Sequence, residues 1–68
     1  MTTMSIGLQI AIKNKMIQMP ELDEGETYAV ALEDRIIFTS RNKQDIAMRV
    51  LMNFRFKWVV LHKRKEME

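Results

Sequence analysis

The first apolar pattern in the chain has a period of two. Four bulky residues occupy every second position near the start: Ile6, Leu8, Ile10 and Ile12. Alternation of this kind places all four side chains on one face of a strand. The pattern therefore favours a first strand over residues 5–12.

A helix is the competing interpretation of the same segment. Three apolar residues follow one another at four-residue spacing: Leu8, Ile12 and Met16. A helix leaves three others scattered around its circumference: Ile6, Ile10 and Ile17. We therefore rank the helix second.

The polar run at residues 13–15 predicts a turn, because its central residue, Asn14, tolerates a left-handed backbone. The turn would lead into a second strand at residues 16–19, and Pro20 would end that strand. Residues 21–26 carry four acids and read as a connecting loop.

A second hairpin is predicted further along the chain. In residues 27–32 large side chains alternate with the small Ala29 and Ala31, which would let another element approach closely. A polar break at Glu33 and Asp34 precedes residues 35–39, where β-branched and aromatic side chains favour a strand.

The strongest helical signal covers residues 42–54. Thr39, Ser40 and Asn42 offer side-chain oxygens that can cap a helix, and Asp45 would lie in the first turn, where a negative charge is favoured. Five apolar residues have the spacing of a core-facing stripe: Ile46, Ala47, Val50, Leu51 and Phe54.

The last predicted strand is residues 57–62, in which four apolar residues follow one another from Trp58 to Leu61. Such a run indicates a strand that is central in its sheet, or one whose outer face meets a partner. We expect Trp58 to pack in the core against the helix. Residues 63–68 read as a frayed, charged tail.

These elements predict one α+β domain over residues 1–68. An antiparallel meander over residues 5–39 would be covered by one amphipathic helix, and the last strand would rejoin the sheet. A small, partly open five-stranded barrel with the helix at one end is the alternative. Because a chain of 68 residues buries only about 60% of its unfolded surface, we expect a homodimer or unusually good packing.

Charge is sorted along the chain although the net charge is only +2. Residues 16–34 hold six acids and no base, whereas residues 41–65 hold eight bases and one acid. Two opposed charged faces would follow from this, and they would suit a charged partner. A nucleic acid is one such partner, through phosphate contacts by these residues: Lys43, Arg49, Arg55, Lys57, Lys63, Arg64 and Lys65. The sequence contains no zinc-finger, KH or RRM motif.

Met48 and Met52 widen the apolar surface of the predicted helix beyond what packing on one sheet needs. Methionine adapts to varied partners, so these two residues predict a subunit or partner interface. A helix sunk deeply into a small core is the alternative. The predicted partner-binding residues lie on this helix and the strand after it: Met48, Arg49, Met52, Arg55, Lys57 and Trp58.

Residue types that carry chemistry are scarce. The chain has no cysteine and a single histidine, His62. The acidic loop lacks the ligand spacing of a calcium site, and neighbouring Glu33 and Asp34 would point apart in an extended chain. We expect no catalytic residue, metal, cofactor or small-molecule substrate. The sequence also shows no membrane-spanning run and no signal peptide, so we expect a cytoplasmic protein.

The sequence therefore predicts a small non-enzymatic protein-interaction module or inhibitor, which acts by occupying a macromolecular surface. A small nucleic-acid-binding protein that uses the basic C-terminal half is the alternative. A viral protein that modulates its host fits this pattern as well as a cellular regulator does.

Overall fold

Two helices and a three-stranded antiparallel sheet make up residues 5–62, the part of the chain that this computed structural model describes. The predicted α+β class is confirmed, and so is a C-terminal strand within the sheet. The predicted tail lies outside the described residues. In chain order the elements are α1 (Ile6–Ile17), β1 (Glu26–Leu32), β2 (Arg35–Ser40), α2 (Lys43–Met52) and β3 (Phe56–His62).

The predicted strands at residues 5–12 and 16–19 are wrong, and so is the turn between them, because α1 covers this segment. The Ser5 side chain caps the helix by accepting a hydrogen bond from the Leu8 amide at 3.1 Å. One side of α1 packs on α2 and buries Ile12. Since neither proline nor glycine interrupts residues 8–19, the helix continues through the polar run to Ile17.

The hairpin of β1 and β2 confirms the second predicted hairpin. Its turn places Glu33 in the left-handed region with φ of 57°. The register shifts where Val30 pairs with Phe38 and Ala31 pairs with Ile36, so Ile37 is an extra residue in β2. Three strands in the order β2-β1-β3 also replace the five-stranded barrel for the described residues.

β3 lies at one edge of the sheet, and β1 is the central strand. The predicted strand at residues 57–62 is confirmed, with a start one residue earlier. Its central placement, one of the two readings of the apolar run, is wrong. The pairing of β1 with β3 runs without interruption from Glu26 opposite His62 to Leu32 opposite Phe56.

The helix predicted at residues 42–54 is confirmed, although α2 ends at Met52. The Asn42 side chain caps it by accepting hydrogen bonds from the amides of Gln44 and Asp45. Two residues of the predicted core stripe are not buried. Leu51 is partly exposed, and Phe54 is 93% exposed because Asn53 is already extended and Phe54 has left the helical path.

The core lies between α2 and one face of the sheet. It is formed by five buried residues: Met19, Tyr28, Val30, Ile46 and Val50. Around them pack Leu22 and the inward side chains of β2 and β3, among them Trp58. Trp58 therefore packs against the core on the side of α2, as predicted, but it is only partly buried.

Candidate interaction surface

Helix α1 exposes a row of three isoleucines, Ile6, Ile10 and Ile17, here called the α1 stripe. They are 75%, 54% and 75% exposed. At 3.6 residues per turn their directions differ by no more than about 40° around the helix axis. The sequence-based expectation that they scatter around the circumference is therefore wrong, because they lie in one row along the helix.

A different side of α1 packs on α2. A groove between the two helices is lined by Ile12 and Met16 from α1 and by Gln44 from α2, and Ile12 is buried there. Helix α1 thus carries large apolar side chains on the side that packs and also on a side that faces water, with polar residues between them. A row of large apolar side chains left exposed on a helix often marks a site of interaction with another molecule, and packing within residues 5–62 does not cover the α1 stripe.

The charge of α1 has one sign. Between Ile6 and Ile17 the helix carries Lys13 and Lys15 and no acid. Lys13 falls within about 40° of Ile17 and Ile6 on the helix wheel. The α1 stripe is therefore an apolar row that has one cation in line with it, between Ile10 and Ile17.

The C-terminal half of α2 carries a second apolar area. Met48 is 39% exposed and Met52 is 76% exposed, and Leu51 and Phe54 lie beside them in the sequence. Met52 is not buried, so the alternative of a helix sunk deeply into a small core is wrong for this residue. Their role in binding a partner stays a prediction.

The acidic and basic segments meet each other in the fold. The Lys43 Nζ lies 2.7 Å from a carboxylate oxygen of Glu21, and the Arg55 Nη2 lies 2.5 Å from a carboxylate oxygen of Glu33. Each pair joins one residue of the acidic segment to one of the basic segment. Charge sorted along the sequence is therefore mixed on the surface at these two places.

Arg41 makes a further link between the two segments. Its guanidinium donates hydrogen bonds to the backbone carbonyls of Glu26 and Asp23, both at 3.1 Å. The side chain holds the acidic loop against the end of β2.

The other predicted contact residues do not form one surface. The Arg49 guanidinium lies 3.7 Å from the centre of the Phe38 ring, on the helix-covered side of the sheet. Lys57 lies on the opposite face of β3 from Trp58, since neighbouring strand residues alternate. The structure does not bring these cations to one aromatic platform. Three further predicted nucleic-acid contacts lie outside the described residues: Lys63, Arg64 and Lys65.

The ion pair of Glu21 and Lys43 shifts the pKa values of both side chains. The hydrogen bond from Lys43 lowers the pKa of the Glu21 carboxyl below its ordinary value, and the same bond raises the pKa of Lys43. A lowered carboxyl pKa stabilises the fold above the pKa that Glu21 has when unfolded. This contribution disappears as the pH falls through the folded pKa.

We therefore expect Glu21→Gln to lower the midpoint of urea unfolding slightly at neutral pH, and we expect the difference from wild type to vanish in acid. Both side chains are at the surface, so added salt should also reduce the difference. Glu24→Gln removes a charge from the same loop at a side chain that has no ion pair among the described residues. If Glu24→Gln lowered the midpoint of urea unfolding as much as Glu21→Gln does, the ion pair of Glu21 and Lys43 would not be the source of the stability.

Side chains that could bind a metal ion are dispersed in the described part of the chain. Residues 5–62 contain no cluster of three metal-ligating side chains, and every buried residue there is apolar. The His62 Nδ1 lies 3.8 Å from the nearest carboxylate oxygen of Glu26 at the mouth of an open pocket. Neither described helix has the length and apolar character needed to cross a membrane.

Sequence reasoning missed the α1 stripe because it assigned the segment to a strand. The signal was present, since Ile6, Ile10 and Ile17 have the spacing i, i+4 and i+11 of one helical row. Comparison of the chain with protein-family models, with curated proteins and with solved structures finds no match.

Proposed function

We propose that this protein is a small non-enzymatic protein-interaction module that occupies an apolar groove on another protein through the α1 stripe. One observation carries the proposal: α1 exposes three isoleucines in one row, on a side of the helix that packs against no other element among the described residues. An amphipathic helix laid into a groove anchors itself by residues spaced i, i+4 and so on. The α1 stripe has this spacing.

The charge of α1 indicates the chemistry of the partner. Lys13 lies in line with the stripe, while the helix carries no acid. Acidic residues at the rim of the groove would complement this cation and exclude basic surfaces. Met48 and Met52 on α2 would add an adaptable second contact.

Affinity capture from a native lysate with matched variants tests the proposal. Ile6→Lys combined with Ile17→Lys places two charges in the α1 stripe. Asn14→Lys combined with Gln18→Lys adds the same charge at two exposed positions outside the stripe, one on α1 and one at its C-cap. We expect wild type and the second variant to retain the same protein. The stripe variant should retain it at least about tenfold less.

Two outcomes would contradict the proposal: no protein retained above background by folded wild type, or equal retention by the stripe variant. The nucleic-acid alternative is tested by anisotropy titration with single-stranded and duplex oligonucleotides at two salt concentrations. Binding that weakens steeply with salt and survives the stripe substitutions would favour that alternative.

A further inference from the structure

Strand β3 offers a long, regular edge. Its seven residues pair with β1 without a bulge, and no strand among residues 5–62 covers its other side. The outward N–H and C=O groups of such an edge can bond another strand. The opposite edge, β2, is shorter and is interrupted at Ile37. Bulges are one of the features that keep edges from pairing.

The composition of β3 is that of an interior strand. Phe56, Trp58 and Val60 point toward the core, and Val59 and Leu61 point to the other face. Lys57 is the only residue in β3 with a permanent charge. Strands that are apolar on both faces are typical of positions with neighbours on both sides, and β3 has a neighbour on one side.

We infer that β3 pairs with β3 of a second copy of this chain, antiparallel and about a two-fold axis at Val59. Val59 is the midpoint of Phe56–His62, so this register uses all seven residues. A centre at Trp58 or at Val60 would keep only five of the seven residues within the ladder.

The register at Val59 is compatible with the side chains. It places Trp58 opposite Val60 of the other copy, an aromatic and β-branched pair of the kind that stabilises sheets. It places Lys57 opposite Leu61 of the other copy, where the aliphatic stem of the lysine can pack. No like charges oppose each other.

The two-fold axis is perpendicular to the sheet, so both copies keep their helices on the same face. The product is a continuous six-stranded sheet in which β2 forms both outer edges. Sheets of this size are common, and dimerisation stabilises domains too short for a large core. This inference goes beyond the proposed function, because it does not use the α1 stripe.

Charge substitutions at Val59 test the pairing. Val59→Lys should dimerise at least about tenfold more weakly than wild type, because the two lysines would face each other across the axis. Val59→Glu should do the same. An equal mixture of the two variants should restore the dimer, with a mass by light scattering near twice the 8.1 kDa of one chain.

Ile37→Lys is the matched control, since it places the same charge on the other outer strand and should leave the dimer intact. Three results would overturn the inference: a wild-type monomer at every concentration, a dimer unaffected by Val59→Lys, or folded single variants whose mixture stays monomeric. Ile6→Lys combined with Ile17→Lys should keep the dimer, so failure of the pairing is distinguishable from failure of the proposed function.

A cysteine variant keeps the inference testable if the charged variants do not fold. The chain has no cysteine, so Val59→Cys would have one thiol. Opposed residues in an antiparallel pair have Cα atoms about 4.5–5.5 Å apart, which suits a disulfide. We expect a covalent dimer under mild oxidation for Val59→Cys and a monomer for Ile37→Cys. Equal crosslinking of the two variants, or none at position 59, would overturn the pairing.

Discussion

Replacement of Ile46 by alanine is expected to remove a large share of the stability of the domain. Ile46 is fully buried in the core between α2 and the sheet. Truncation of a buried isoleucine costs about 2–5 kcal/mol. At about 0.05–0.15 kcal/mol per residue, a chain of this length has roughly 3–10 kcal/mol in total. Urea unfolding followed by circular dichroism should show a much lower midpoint, or no folded baseline.

Ile17→Ala is the control, because it removes the same atoms from a side chain that is 75% exposed. We expect it to change the free energy of unfolding by no more than about 0.5 kcal/mol. If Ile17→Ala lowered the free energy of unfolding as much as Ile46→Ala does, the α1 stripe would be buried in the free protein. The contrast therefore tests the core and the exposure of the candidate surface together.

Helix α2 was predictable because independent signals agree there. Asn42 caps the first turn, Asp45 lies where the helix dipole favours an acid, and Ile46 and Val50 repeat at the helical period. These signals do not mark the C-terminal end of α2, where the extended backbone of Asn53 leaves the helical path. A wheel drawn past that residue wrongly places Phe54 in the core.

Helix α1 was not predictable from alternation alone. Every second residue from Ile6 to Ile12 is apolar, and such a row contains two pairs at four-residue spacing. It satisfies the strand period and the helix period together. In the fold Ile12 is buried and α1 packs on α2, a segment far from it in the chain, and tertiary packing of this kind can override local preference.

The arrangement of charge also depended on long-range contacts. Glu21 and Lys43 are 22 positions apart, and so are Glu33 and Arg55. Sequence order shows that opposite charges are separated along the chain, but it does not show that the hairpin and α2 fold them onto each other. The candidate surface is therefore the exposed apolar row of α1 and not either charged segment.

Tyr28 is expected to be as important as Ile46, because it joins the core to the loop that precedes β1. Its ring is buried beside Met19, and its hydroxyl donates a hydrogen bond to the backbone carbonyl of Pro20. Tyr28→Ala removes both contacts. By analogy with other buried aromatic residues it should cost about 3–5 kcal/mol, which leaves the domain largely unfolded.

Tyr28→Phe separates the hydroxyl from the ring. It retains the packing and loses one hydrogen bond, so we expect a loss of about 1 kcal/mol in urea unfolding. Amide hydrogen exchange should locate the change, with faster exchange around Met19 and Leu22 and unchanged protection at Val30. Uniformly faster exchange across the sheet would contradict a local role, since it would mean that the hydroxyl supports the whole core. Equal losses for the two variants would show that the hydrogen bond to Pro20, and not the burial of the ring, makes Tyr28 indispensable.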